Sequence, residues 1–97
     1  MSDWRLTPAA RADLDGIWDY TTQTWGATQA ETYVRALIAA CAGIGAGATP
    51  SQDAGHVRPG YRKALSGRHV LFYRQGAQGV EVVRILHQRM DVDRQGI

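Results

Sequence analysis

The 97-residue chain has one cysteine, Cys41, one lysine, Lys63, one phenylalanine and three prolines. A lone cysteine excludes an internal disulfide. Set among Ala, Leu and Ile on a helical pattern, Cys41 reads as a small core hydrophobe. With no second thiol and no ligand-like spacing among His56, His69 and His87, neither a metal site nor a cofactor is expected. No apolar run reaches membrane-spanning length, and the opening Met1-Ser2-Asp3-Trp4-Arg5 carries no apolar leader. No membrane association and a cytoplasmic location are therefore expected. The scarcity of lysine leaves a basic set made almost wholly of arginine, whose planar fork suits carboxylates, phosphates and stacking.

What is present is an ordinary globular composition, 44% apolar and 21% charged, and one domain is expected over residues 1–97. The formal charge of +2 is unevenly spread. Residues 1–50 set three arginines against five carboxylates, while residues 51–97 set eight basic residues against four acidic ones. The basic half could face an acidic protein or nucleic acid, or be a solvated sheet surface with its ion pairs. Direct nucleic-acid binding ranks last, because the chain has neither a helix-turn-helix signature nor an aromatic RNA-binding strand pattern.

The spacing predicts β-α-α-β-β-β, an α+β fold with a helical hairpin on a mainly antiparallel sheet. Trp4 to Thr7 reads as a first strand, with Thr7 as N-cap and Pro8 at the first helical position. Ala10, Leu14, Ile17, Trp18 and Thr21 then mark one helical face, so Trp18 is expected in the core and Asp13, Asp15 and Asp19 largely in solvent. Trp25, beside the break at Gly26, is placed as a plug for the hairpin's end. Thr28-Gln29-Ala30-Glu31 spells a capping box ahead of a second stripe, Ala30, Tyr33, Val34, Leu37, Ile38, Cys41 and Ile44. The hairpin covers about 8–46, and a Gly/Pro-rich loop follows over about 47–60. A three-stranded meander then spans about 61–87, with its first turn at Ser66-Gly67, before a short C-terminal tail. The last strand, Val80 to His87, holds five aliphatic side chains and no Gly or Pro, which suits a covered central strand. Strict alternation sets Val80, Val82, Arg84 and Leu86 on one face and Glu81, Val83, Ile85 and His87 on the other. A buried Arg84 would need a partner, and Asp13 or Asp19 are the candidates.

Several runs together resemble the ParE branch of the RelE/ParE superfamily of bacterial toxins. They are Trp4-Arg5-Leu6-Thr7 leading to Asp13-Leu14, Ile17 and Tyr20, then Trp25-Gly26; Arg58-Pro59-Gly60-Tyr61-Arg62; Gly67-Arg68-His69-Val70 with Phe72-Tyr73-Arg74; and Arg84 through Asp91. The resemblance implies the toxin of a type II toxin–antitoxin module that inhibits DNA gyrase by binding, with no catalytic residues. It also implies a ParD-type antitoxin that wraps the toxin and alone carries the complex to operator DNA. His87, Arg89 and Met90 are then the candidate target surface. Arg58, Arg62, Arg74, Tyr33 and Trp4 are the candidate antitoxin surface, since a segment that folds on binding gains most from an apolar groove flanked by charge. The alternative within the superfamily is a RelE-like, ribosome-dependent mRNA endonuclease. It would need His87, Arg74 and Arg62 to converge on a ribose and its phosphate.

Overall fold

The computed structural model describes residues 3–97. The elements run β1 (Trp4–Leu6), α1 (Pro8–Trp25), α2 (Ala27–Gly45), β2 (Gln52–Asp53), β3 (Arg62–Ser66), β4 (His69–Gly76) and β5 (Gly79–His87), and end in a 3-10 turn over Val92–Gln95. The five strands form one sheet in the order β1-β5-β4-β3-β2, parallel between β1 and β5 and antiparallel elsewhere. This is the expected α+β hairpin-on-sheet architecture with one addition. The two-residue β2 lies within the segment read as a loop. Both its residues are exposed polar side chains, so no hydrophobic pattern marks it.

Thr7 starts α1 as its sequence implies. Its hydroxyl accepts from the Ala10 amide at 3.1 Å and donates to the Val83 carbonyl at 2.8 Å, which ties the cap to the sheet. The two helices are joined by Gly26 alone, which caps the end of α1 and the start of α2 at φ +93°. That conformation is inexpensive only for glycine and makes a one-residue connection feasible. The capping box is a correction. Helix α2 begins at Ala27 with no side-chain cap, so Thr28 is already helical and its carbonyl accepts from the Thr32 hydroxyl. Glu31 pairs instead with Arg35, one turn on.

One core lies between the helices and the sheet. Ala10, Ile17, Leu37, Cys41 and Ile44 pack there against Leu71, Tyr73, Val80, Val82 and Ile85. Cys41 is 1% exposed, and burial pushes its thiol up to about 11, against a weaker opposing pull from its backbone hydrogen bond. A smaller core covers the opposite sheet face. There Tyr61, Phe72, Val83 and Leu86 are roofed by Val57 from the turn before β3 and by Val92 and Ile97 from the tail.

Two tryptophans depart from expectation: Trp18 is 39% exposed and Trp25 70%. At about 100° per residue, Trp18 lies roughly 80° around α1 from Ala10, on the margin of the stripe. Ile17 and Thr21 take the sheet-facing positions instead. Asp13 lies on the opposite margin and is half-buried, not solvated.

Strand β5 does not keep strict alternation. Tyr73 pairs with Val82 and Phe72 with Arg84, so Val83 is an extra, unpaired residue, a β-bulge. Beyond it the two faces exchange. Ile85, not Arg84, joins Val80 and Val82 toward the helices, while Leu86 joins Val83 on the far face.

Candidate functional site

The bulge sets up one end of the β4–β5 pair. Past it, His69 stands opposite His87, with ring centroids 5.4 Å apart in an edge-on arrangement. Tyr33 reaches down from α2, and its hydroxyl lies 2.6 Å from His69 Nδ1. The same hydroxyl accepts from the Arg68 amide at 2.9 Å. The Tyr33 oxygen and His69 Nδ1 share one hydrogen bond whose direction follows the His69 tautomer: the phenol donates to a bare Nδ1 or accepts from a protonated one. At His87 the backbone sets the polarity, because its Nδ1 accepts from the Arg89 amide at 3.1 Å. Burial, and then the neighbouring His87, lower the pKa of His69 below 6.5, with Asp13 pulling weakly the other way.

The two rings floor an open groove beside α1. Its larger lobe, about 480 Å³, is lined by Gly16, Ile17, Tyr20, Ile85 and Met90. A second lobe of about 320 Å³ runs toward Trp25, Gln29, Tyr33 and Arg68, and Tyr20, Thr21, His69 and His87 line both. The tight β3–β4 turn brings Arg68 here. Gly67 takes φ +57° as its first central residue, and a Cβ there would meet the Tyr33 ring at 2.7 Å.

Asp13 forms part of the groove wall and holds it in place. Its carboxylate accepts from Arg84 Nε at 2.7 Å and Nη2 at 2.9 Å, and from the Ile85 amide at 2.9 Å. Arg84 Nη1 donates onward to the Gln95 carbonyl at 3.0 Å, so one ion pair joins α1, β5 and the tail. The hydrogen bonds Arg84 donates to Asp13 hold its guanidinium above its usual pKa, against burial. Asp13, one of the two candidates, is therefore the partner of Arg84.

The expected site residues do not form one surface. His87 and Met90 line the groove, and Arg89 is exposed beside them. Of the candidate antitoxin residues, only Tyr33 reaches it. Trp4 is half-buried against the helix-side core at the opposite end of the sheet, opposite Val80. Arg58 is exposed in the turn before β3, and Arg62 Nε donates to the Ser51 hydroxyl at 3.1 Å. Arg74 donates to Glu81 Oε1 at 2.9 Å, and Arg5 pairs with the same carboxylate. These bonds, Arg5's first, hold Glu81 below the usual carboxylate range although burial opposes them.

The residues named for RNA cleavage are likewise apart. Arg62 pairs with Tyr73 and His87 with His69, four positions along β4, or roughly 13 Å. Arg74 follows Tyr73 and projects from the other sheet face. Sequence reasoning passed over His69 and Tyr20, the two residues that with His87 make the groove. Among the described residues no group of three or more His, Cys, Asp or Glu is placed to hold a metal, and no helix is long and apolar enough to cross a membrane.

Comparisons with known proteins agree with this architecture. The family model for the ParE toxin of type II toxin–antitoxin system, parDE, matches residues 4–92. "Toxin ParE1" of Mycobacterium tuberculosis is 49% identical over 94 residues, covering 96% of each chain. "Toxin ParE1" of Caulobacter vibrioides is 45% identical over 91 residues, covering 94% of each. A solved chain of the chromosomal ParDE TA system from P. aeruginosa superposes with a TM-score of 0.76, covering 90% of this chain and 96% of that one. Its 21% identity makes that likeness one of fold. The chain belongs to the ParE toxin family of type II toxin–antitoxin systems.

Proposed function

We propose that this toxin inhibits DNA gyrase by binding it and is neutralised by a ParD-type antitoxin. It works in the cytoplasm, where gyrase and DNA are, and reaches operator DNA only through the antitoxin. The observation that carries the reading is its chain-long likeness to proteins named Toxin ParE1, 49% identical over 96% of both chains. The name of the P. aeruginosa ParDE structure supports an antitoxin partner. Geometry favours binding over RNA cleavage. The arginines nominated for cleavage lie away from His87, and Arg74 is engaged by Glu81. The target surface is His87, Arg89 and Met90, beside an open groove that an antitoxin segment would cover.

The test is plasmid supercoiling by purified gyrase, with the toxin alone and then with its antitoxin. Inhibition that the antitoxin reverses is expected. No effect at saturating toxin would remove gyrase from the account and turn attention to ribosome-dependent RNA cleavage, with His87→Ala as control.

A further inference from the structure

The hydrogen bonds around the two histidines set the chemistry of the groove. His87 Nδ1 accepts from the Arg89 amide, so its Nε2 carries hydrogen, and His69 Nε2 does so when the Tyr33 hydroxyl donates to its Nδ1 or the ring is protonated. Among the described residues neither Nε2 meets a hydrogen-bond partner, and both rings are half-buried, not sealed. Arg68 adds further donors at the rim. The one carboxylate in the wall, Asp13, already accepts from Arg84 and the Ile85 amide. The Tyr20 and Thr21 hydroxyls and the Gln29 amide can donate as well as accept, so an anionic group would meet donors and no unpaired carboxylate beside Ile17, Tyr20 and Met90. That pattern complements a carboxylate with an apolar side chain beside it.

We propose that His69 and His87 form a receptor for an acidic side chain of the antitoxin, whose neighbouring apolar residue lies across Ile17, Tyr20 and Met90. The proposal rests on the antitoxin reading above and names the contact by which the toxin is covered. It also makes the contact sensitive to pH. A carboxylate against the rings favours an imidazolium, so binding takes up a proton, and affinity rises as pH falls through the imidazole range. His69 is the ring that takes it. The Tyr33 oxygen can turn its own proton away and accept from both the Arg68 amide and a protonated Nδ1. The other charged or titratable groups facing the pair are Asp13 and Tyr20 from α1 and Arg68 from the β3–β4 turn, and Asp13 is neutralised by Arg84.

The test measures affinity between the full toxin and the antitoxin encoded beside it at pH 8 and pH 5.5, where carboxylates remain ionised. Binding about tenfold tighter at pH 5.5 is expected, the difference between a neutral and a charge-assisted hydrogen bond. His69→Phe should lose that gain. Because this variant also removes the partner of Tyr33, imidazole NMR of the wild-type toxin supplies a second readout. The pKa of His69 should rise when the antitoxin binds. Tight binding that is flat with pH, with an unmoved His69 pKa, would overturn the receptor and leave the antitoxin reading intact. No binding at either pH would overturn both.

Discussion

The two ends of the β4–β5 pair are built from the same kind of ladder and reach opposite outcomes. At the Gly76–Gly79 end, Glu81 sits between Arg5 and Arg74 and accepts from both, leaving one positive charge in excess. At the other end, His69 and His87 stand edge-on to each other, each with one nitrogen committed inward and one left for solvent. The first end carries more charge, but both of its arginines are already engaged by Glu81. Arginine count is therefore a poor guide to function on this surface. What matters is which donors remain available once the fold has formed, and those of His87 and Arg68 stand beside an apolar groove.

The bulge separates the two ends, and its support is where the comparison breaks most easily. Asp13→Ala would leave Arg84, only 19% exposed, without its carboxylate and the Ile85 amide without its acceptor. A loss of about 3 kcal/mol is expected, seen as a fall of roughly 15 °C in Tm. If the variant melted like wild type, the ion pair would not be what holds this strand. Gly67→Ala probes the histidine end alone. Its positive φ and the nearby Tyr33 ring predict a loss of about 2 kcal/mol, with Tyr33 displaced from His69, readable by chemical denaturation and ring NMR.

The smallest effect belongs to the charged end. Because Glu81 has a depressed pKa in the folded state, its contribution is complete above the usual 4.5 and is lost as pH falls through the folded value. Glu81→Gln should flatten that part of the acid-unfolding profile while leaving the His69 titration untouched. Coupled changes at both ends would show that they do not act separately.

Much of this fold was legible along the chain. The Thr7 cap, Pro8, the two apolar stripes and the Gly67 turn are each written locally, within one helical turn or one tight turn of sequence. The capping box misled because Gly26 let α2 start before it. Trp18 misled because a large apolar residue at the margin of a stripe scores like one at its centre. The groove was harder to see for a topological reason. Were the ladder regular from the Gly76–Gly79 turn, His69 would stand opposite Leu86. Only the extra residue at Val83 shifts the register by one and brings His87 across from it. Nothing in the local composition of Val82-Val83-Arg84 announces that shift. It depends on Thr7 taking the Val83 carbonyl and Asp13 taking Arg84 and the Ile85 amide, contacts that span about seventy positions of sequence.

The most direct test of the account sets one end of the strand pair against the other in the gyrase supercoiling assay. His87→Ala and Met90→Ala alter the groove end, while Arg5→Ala alters the charged end, where Arg74 still holds Glu81. The account predicts that wild type and Arg5→Ala inhibit supercoiling alike, and that both groove variants need at least about tenfold more protein, the scale of one lost well-packed contact. Equal inhibition by all four proteins, or a loss confined to Arg5→Ala, would contradict it.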